Sequence, residues 1–143
     1  MYHIVSETIQ REALLSDVKT VLVSYSGGAD SMALIEYFLQ FTSINIMAVY
    51  FDHGLRNTRQ EVYFIESFLS AKDIPYLIQK IPVNSEATKR KNGLEEAGRY
   101  LRYKSLINIA RKYSINVVAT GHHLDDAVES IILKLLRGSK GNF

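Results

Sequence analysis

The chain has 143 residues, 47% of them hydrophobic and 22% charged, the proportions of one soluble globular domain rather than of a disordered tail, a collagen-like fibre or a coiled coil. It has no run of eighteen apolar residues, no basic segment leading into an apolar stretch at Met1-Tyr2-His3-Ile4, and no cysteine, which excludes a transmembrane helix, a visible secretory signal, disulfides, thiolate metal sites and cysteine nucleophiles, and fits a reducing compartment. The net charge of +2 is unevenly spread: residues 1–85 carry six Lys/Arg against nine Asp/Glu, and residues 86–143 eleven against six, so the second half suits a polyanionic partner without requiring one.

An amphipathic leader over Ile4 to Leu15 reads as a helix covering the sheet. Thr20 to Tyr25 is short and β-branched, a buried strand. Ser31 to Phe41 has helical spacing (Met32, Ile35, Phe38, Leu39). Ile44 to Phe51 reads as a second strand. Arg59 to Ala71 is a second helix with Val62, Ile65, Phe68 and Leu69 on one face. Tyr76 to Ile81 is a third strand between Pro75 and Pro82. The polar stretch Asn84 to Asn92 reads as a mobile loop whose Lys89, Arg90 and Lys91 suit a nucleic-acid backbone. Gly93 opens a long helix to about Tyr113, Ile115 to Thr120 is a fourth strand, and Leu124 to Arg137 a further helix ended by Gly138.

Four alternations of strand and helix predict an α/β fold: a parallel, doubly wound sheet with helices on both faces. Such sheets bind ligands beyond the carboxyl ends of their strands. The segments there are Ser26–Ser31, Asp52–Arg56, the stretch after Ile81, and Gly121–Asp126. Three of the four are rich in glycine and polar residues.

Ser26-Gly27-Gly28-Ala29-Asp30-Ser31 lies between a strand and a helix. Two glycines let the backbone approach a ligand, and the N–H groups opening the helix suit an anion. Asp30 fits a phosphate cradle if Mg²⁺ accompanies the phosphate. The alternative is a tight turn with a capped helix. The segment is neither a Walker A loop nor a G-x-G-x-x-G fingerprint. Asp52 and His53 could orient a ligand, with Arg56 on a phosphate, or form only a loop. Glu95, Arg99 and Arg102 share a helix face, which is a solvated salt-bridged face unless a ligand uses it. Gly121-His122-His123-Leu124-Asp125-Asp126-Ala127-Val128-Glu129 gathers many ionisable groups at one strand end. On a helix Asp126 and Glu129 face the same way, which suits an amine, a divalent ion or a general base. Adjacent histidines point apart on a regular backbone, which disfavours one shared metal. Helix capping by Asp125 and Asp126 is the simpler alternative.

In this order, Ser-Gly-Gly-x-Asp-Ser, Asp-His-Gly-Leu-Arg, Gly-Leu-Glu-Glu-Ala-x-Arg-x-x-Arg-Tyr and Ala-Thr-Gly-His-His-x-Asp-Asp-x-x-Glu resemble the PP-loop ATP pyrophosphatases. Within them the set is similar to the tRNA(Ile)-lysidine synthetases, from about Val21 to Ser139. The resemblance implies an ATP-dependent ligase acting in the cytoplasm, away from membranes. It would adenylate the wobble cytidine of a CAU-anticodon tRNA(Ile), then join free L-lysine to it, releasing AMP and pyrophosphate. It implies that Ser26, Gly27, Gly28, Ala29, Asp30 and Ser31 hold the ATP phosphates, with Mg²⁺ on Asp30 and Arg99 on the nucleotide. It further implies Asp126 and Glu129 on the lysine amine, with Asp52, His53, His122, His123 and Asp125 lining the substrate pocket. Tyr50 and Ala127 stand where these enzymes usually carry His and Gln. The resemblance also implies residues 1–143 as one catalytic domain lacking the tRNA-binding domains that follow in the family, and a homodimer is compatible with it. A PP-loop tRNA thiolation enzyme and a non-catalytic ATP-binding module are the competing readings.

Overall fold

In a computed structural model, which describes residues 6, 7, 10, 15–54, 57–91, 93–124 and 128–135 (from 121 onward by backbone alone), β1 (Thr20–Ser24) is the buried centre of a five-stranded sheet. The strand order is β3-β2-β1-β4-β5, with β2 Asn45–Asp52, β3 Tyr76–Lys80, β4 Val117–Leu124 and β5 Val128–Leu135. The first four are mutually parallel, as the alternating sequence pattern predicts.

Period-two alternation in the central strands divides the core into two halves. Val21 and Val23 of β1, with Ile46, Ala48 and Tyr50 of β2, point to one face. There they meet α1 (Ala29–Phe41) through Leu34, Ile35 and Phe38, and α2 (Arg59–Ala71) through Ile65 and Leu69. Leu22, Met47, Val49 and Phe51 point to the other face. They meet α3 (Val83–Arg90) and α4 (Leu94–Lys112) through Val83, Ala97, Leu106 and Ala110. The doubly wound α/β reading therefore holds. Central strands buried on both faces read as near-continuous apolar runs, which is why β1 and β2 were visible in the sequence.

Three local expectations fare differently. Ser6, Glu7 and Gln10 of the expected leader are helical, and the Ser6 and Tyr37 hydroxyls lie 3.0 Å apart. The polar stretch after Pro82 is a helix rather than a mobile loop. Buried Val83 anchors it, Arg90 approaches Glu86 one turn away at 3.9 Å, and Lys91 ends it in the left-handed conformation.

The helix expected over Leu124–Arg137 is not what the described residues form. β4 continues to Leu124, and Val128–Leu135 returns antiparallel against it, pairing Val117 with Leu135 and Leu124 with Val128. Val128, Ile131 and Ile132 are β-branched and suit a strand. Pairing them satisfies the hydrogen-bonding edge of β4 that would otherwise stay open. The sheet is thus parallel with one antiparallel edge strand.

Candidate functional site

β1 and its neighbour β4 lie at the point where the strand order reverses, since the chain runs from β1 to β2 and β3 on one side before crossing to β4 on the other. Ligands of such sheets sit beyond the carboxyl ends at this reversal. Ser24 pairs with Thr120 there, so the Ser26–Ser31 turn follows β1 where the backbone of Gly121–Leu124 continues β4.

The turn is held by a closed circuit of hydroxyls. The Gly28 N–H donates to Ser26 Oγ at 3.3 Å, Ser26 Oγ lies 3.1 Å from Ser31 Oγ, and Ser31 Oγ donates to the Gly28 carbonyl at 3.1 Å. Because the Ser31 proton goes to that carbonyl, the Ser26 hydroxyl donates to Ser31. The Ser26 N–H also donates to Ser31 Oγ, at 3.1 Å. Ser31 is thus fully used although only 3% exposed. Gly27 has φ +79°, a conformation L residues rarely adopt. Gly28 begins α1 with no side-chain cap. The first-turn N–H groups of α1 are therefore presented to the space above the turn, with the helix dipole behind them. Asp30 is the acidic residue of that first turn.

Beside the turn is a cavity of about 280 Å³. Ser24, Tyr25 and Ser26 form its β1 wall, and Tyr50, Phe51, His53 and Gly54 its β2 wall. Thr58 and Glu61 close it from the start of α2, and Arg102 from α4. Asp52 does not line it. Its carboxylate accepts from the Gly54 N–H at 2.9 Å and from the Thr58 hydroxyl at 3.0 Å, bracing the loop that carries His53.

Gly98 lets α4 approach that loop closely. A Cβ on Gly98 would lie 3.2 Å from both Cε1 and Nδ1 of His53. Burial lowers the His53 pKa, the Arg102 charge lowers it further, and Asp52 and Glu61 oppose both. A histidine depressed in the folded state makes the unfolded chain bind more protons below about pH 6.5. Its contribution to stability is therefore intact above that pH and lost as pH falls through the folded-state value. Thermal unfolding of His53→Gln should show less loss of stability on acidification from pH 7 than the unaltered chain; equal losses would remove His53 as the cause.

Arg102 is half-buried, and burial lowers its pKa, with the like charge of Arg99 adding to this while Tyr103 and Glu95 oppose. Arginine still keeps its charge at any ordinary pH, so a fixed cation faces the cavity. Arg99, the arginine singled out by resemblance, is exposed, does not line this cavity, and has its guanidinium 5.8 Å from the Tyr103 ring centre. Tyr25, Thr58, Glu61 and Gly98 were not singled out, and Tyr50 was noted only as a departure from the resembled family. Only a three-dimensional neighbour gives them meaning.

Two buried hydroxyls, Tyr25 OH and Thr120 Oγ1, have no hydrogen-bond partner among the described residues. That of Thr120 sits at the β1–β4 boundary. His122 and His123 are described by backbone, in β4, where His122 pairs with Ser130 and His123 with Glu129. Glu129 thus sits on β5 rather than on a helix face shared with Asp126, because the segment pairs as a strand. Asp125, Asp126, Leu55 and Arg56 lie outside the described residues. Among the described residues no group of three His, Asp or Glu side chains could hold a metal ion, and no helix is long and apolar enough to cross a membrane.

A family model described as a PP-loop domain matches residues 1–142. The tRNA(Ile)-lysidine synthase of Geobacillus kaustophilus is 36% identical over 138 residues, covering 92% of this chain and 29% of that protein. The bifunctional protein TilS/HprT of Listeria innocua is 32% identical over 135 residues, 92% of this chain and 21% of that protein. The chain thus spans roughly a fifth to a third of the length of such relatives. Among solved structures, the U34-tRNA thiolase NcsA of Methanococcus maripaludis, with its 4Fe-4S cluster, superposes with a TM-score of 0.67 at 26% identity, over 87% of this chain and 45% of that one. The NH3-dependent NAD synthetase of Campylobacter jejuni superposes at 0.61 with 17% identity, over 82% of this chain and 53% of that one, a likeness of fold.

Proposed function

From the premise that this chain belongs to the PP-loop domain family, we propose that it is the ATP-using catalytic unit of a tRNA(Ile)-lysidine synthase. The observation that carries the reading is the Ser26–Ser31 turn, its hydroxyl circuit closed and its helix start uncapped, at the reversal of the sheet. Such a turn suits an oligophosphate, with Arg102 adding a fixed positive charge at the neighbouring cavity. The curated relatives named above supply the choice of reaction.

In that reaction the C2 oxygen of the wobble cytidine attacks the α-phosphorus of ATP, and pyrophosphate leaves. The amine of free lysine then attacks C2, AMP leaves, and a carboxylate takes the amine proton. Asp30, one carboxylate beside a phosphate cradle, is the donor type that Mg²⁺ accepts together with substrate phosphates, and the ion would offset phosphate charge there. Asp126 and Glu129 are the proposed lysine site. His53 lines the pocket beside the turn, and His122 and His123 follow β4 toward it.

Replacing Asp126 or Glu129 by Ala should lower AMP formation at least about a hundredfold, the scale of a lost acid–base group, with ATP binding intact. The assay is α-labelled ATP and Mg²⁺ with and without lysine and a CAU-anticodon isoleucine tRNA. AMP that depends on both additions supports the reading; ADP as the product overturns it.

The likeness to the thiolase favours a second reading, sulfur transfer to a tRNA base. The chain has no cysteine of its own to carry sulfur. Lysine dependence of AMP release separates the two.

A further inference from the structure

The outer side of the α3–α4 hairpin carries a cluster of charge that the pocket does not use. Residues 83–104 hold six Lys/Arg against three Glu, while the rest of the chain is net −1. The hairpin is thus +3 with the pocket's Arg102 included, while residues 1–82 are −3 and residues 105–143 are +2. Lys89, Arg90 and Lys91, at the end of α3, are exposed, as are Arg99 and Lys104 on α4.

Their arrangement centres on an aromatic ring. Tyr100 is 38% exposed, one of several exposed rings, and differs from Tyr63 and Phe64 in being flanked by cations from two helices. The Arg90 guanidinium carbon lies 3.9 Å from its ring centre, and Lys104 Nζ lies 5.9 Å from it. Two cations on two helices are thus held beside one ring. Helical geometry puts Tyr100 and Lys104 on the side of α4 away from Gly98 and Arg102, so this surface is separate from the cavity. Glu86 reaches Arg90 only at 3.9 Å, and Glu95 and Glu96 lie in the first turn of α4. Cations at the end of α3 also complement its dipole. The dipole explains neither Lys104 in the middle of α4 nor an exposed tyrosine beside it.

We infer that this hairpin face is an RNA-binding surface, in which Lys89, Arg90, Lys91 and Lys104 track the phosphate backbone and the Tyr100 ring stacks against an unpaired base. Fixed cations interleaved with an exposed aromatic are the combination that single-stranded nucleic acid takes. The choice of RNA rests on the preceding reading; the surface itself does not.

The test measures binding of an unmodified CAU-anticodon isoleucine tRNA transcript to the full chain across a salt series. The triple change Lys89→Ala, Arg90→Ala, Lys91→Ala should weaken binding at least about tenfold at low salt. It should also flatten the slope of log affinity against log salt by roughly 2, near 0.7–0.9 per lost phosphate contact. Tyr100→Ala should cost roughly tenfold, and Tyr100→Phe should restore binding because the ring is kept. ATP affinity, read alongside, should not move, and the unfolding temperature should fall only by the few degrees that the lost dipole and Glu86 contacts imply. Unchanged affinity and slope in the triple variant overturn the proposal. So does the absence of tRNA binding by the unaltered chain, or equal loss of heparin and tRNA binding in Tyr100→Ala, since heparin has no base to stack. RNA loss in the variants beside an unaltered chain that makes no AMP would keep this surface and discard the lysidine reaction.

Discussion

Gly27→Ala should leave the domain folded and weaken ATP binding by roughly five- to thirtyfold, because about 1–2 kcal/mol of left-handed strain falls on the phosphate turn. The added methyl has room, since Ile65 is 3.6 Å away. The cost is conformational: at φ +79° a side chain forces the turn to relax, and relaxation moves the N–H groups aimed at the ligand. Ser31→Ala should act differently. It removes the partner of the Ser26 N–H and of the Ser26 hydroxyl, while the Gly28 carbonyl keeps the Met32 N–H at 3.0 Å. Ser26 is exposed, so water replaces part of what is lost, and at a net of about 0.5–1.5 kcal/mol per hydrogen bond the unfolding temperature should fall along with ATP affinity. Isothermal titration with ATP beside thermal unfolding separates the two variants. Full ATP affinity in both would remove the turn as the phosphate site.

Gly98 offers a sharper split. Gly98→Ala should raise or hold the unfolding temperature, since alanine gains up to about 1 kcal/mol over glycine inside a helix. The same methyl meets His53 at 3.2 Å, and that ring, on a loop, yields by a few tenths of an ångström. Gly98→Leu leaves no such escape. Overpacking of about 1–3 kcal/mol falls on the His53 loop that Asp52 braces. Nucleotide affinity should drop by about tenfold or more, and the unfolding temperature should fall as well. Titration of both variants with ATP checks this. A Gly98→Leu protein that binds nucleotide normally would show that the His53 wall is idle.

The sequence carried the sheet because central parallel strands leave a plain mark: Val21-Leu22-Val23 and Ile46 to Phe51 are apolar on both faces. The Ser26–Ser31 turn was legible because two glycines and two serines stand between a strand and a helix. Arg102 was legible only as one side of a solvated helix face. Its half-burial depends on β2 and α2 arriving from elsewhere, which spacing along α4 cannot express. Asp52 reads alike as ligand or brace, and the Gly54 and Thr58 hydrogen bonds make it a brace. α3 hid behind its polarity, since a single anchor, Val83, holds it down. Over residues 124–137 the helical period and the β-branched content of Val128, Ile131 and Ile132 compete. The open edge of β4, which no local pattern contains, decides for the strand.

β1 draws its two neighbours from opposite ends of synthesis. β2 follows it closely, but the register Val21 with Val117 joins residues about a hundred positions apart. While the chain is being made at roughly 5–20 residues per second, β1 waits several seconds with one ladder unfilled and apolar on both faces. Among the described pairings, that of β1 with β4 therefore joins the most distant parts of the chain, and its loop-closure cost is met late. The hydroxyl circuit of the turn is local and can close before β4 is made, whereas the β4 side of the site is completed only by that late pairing.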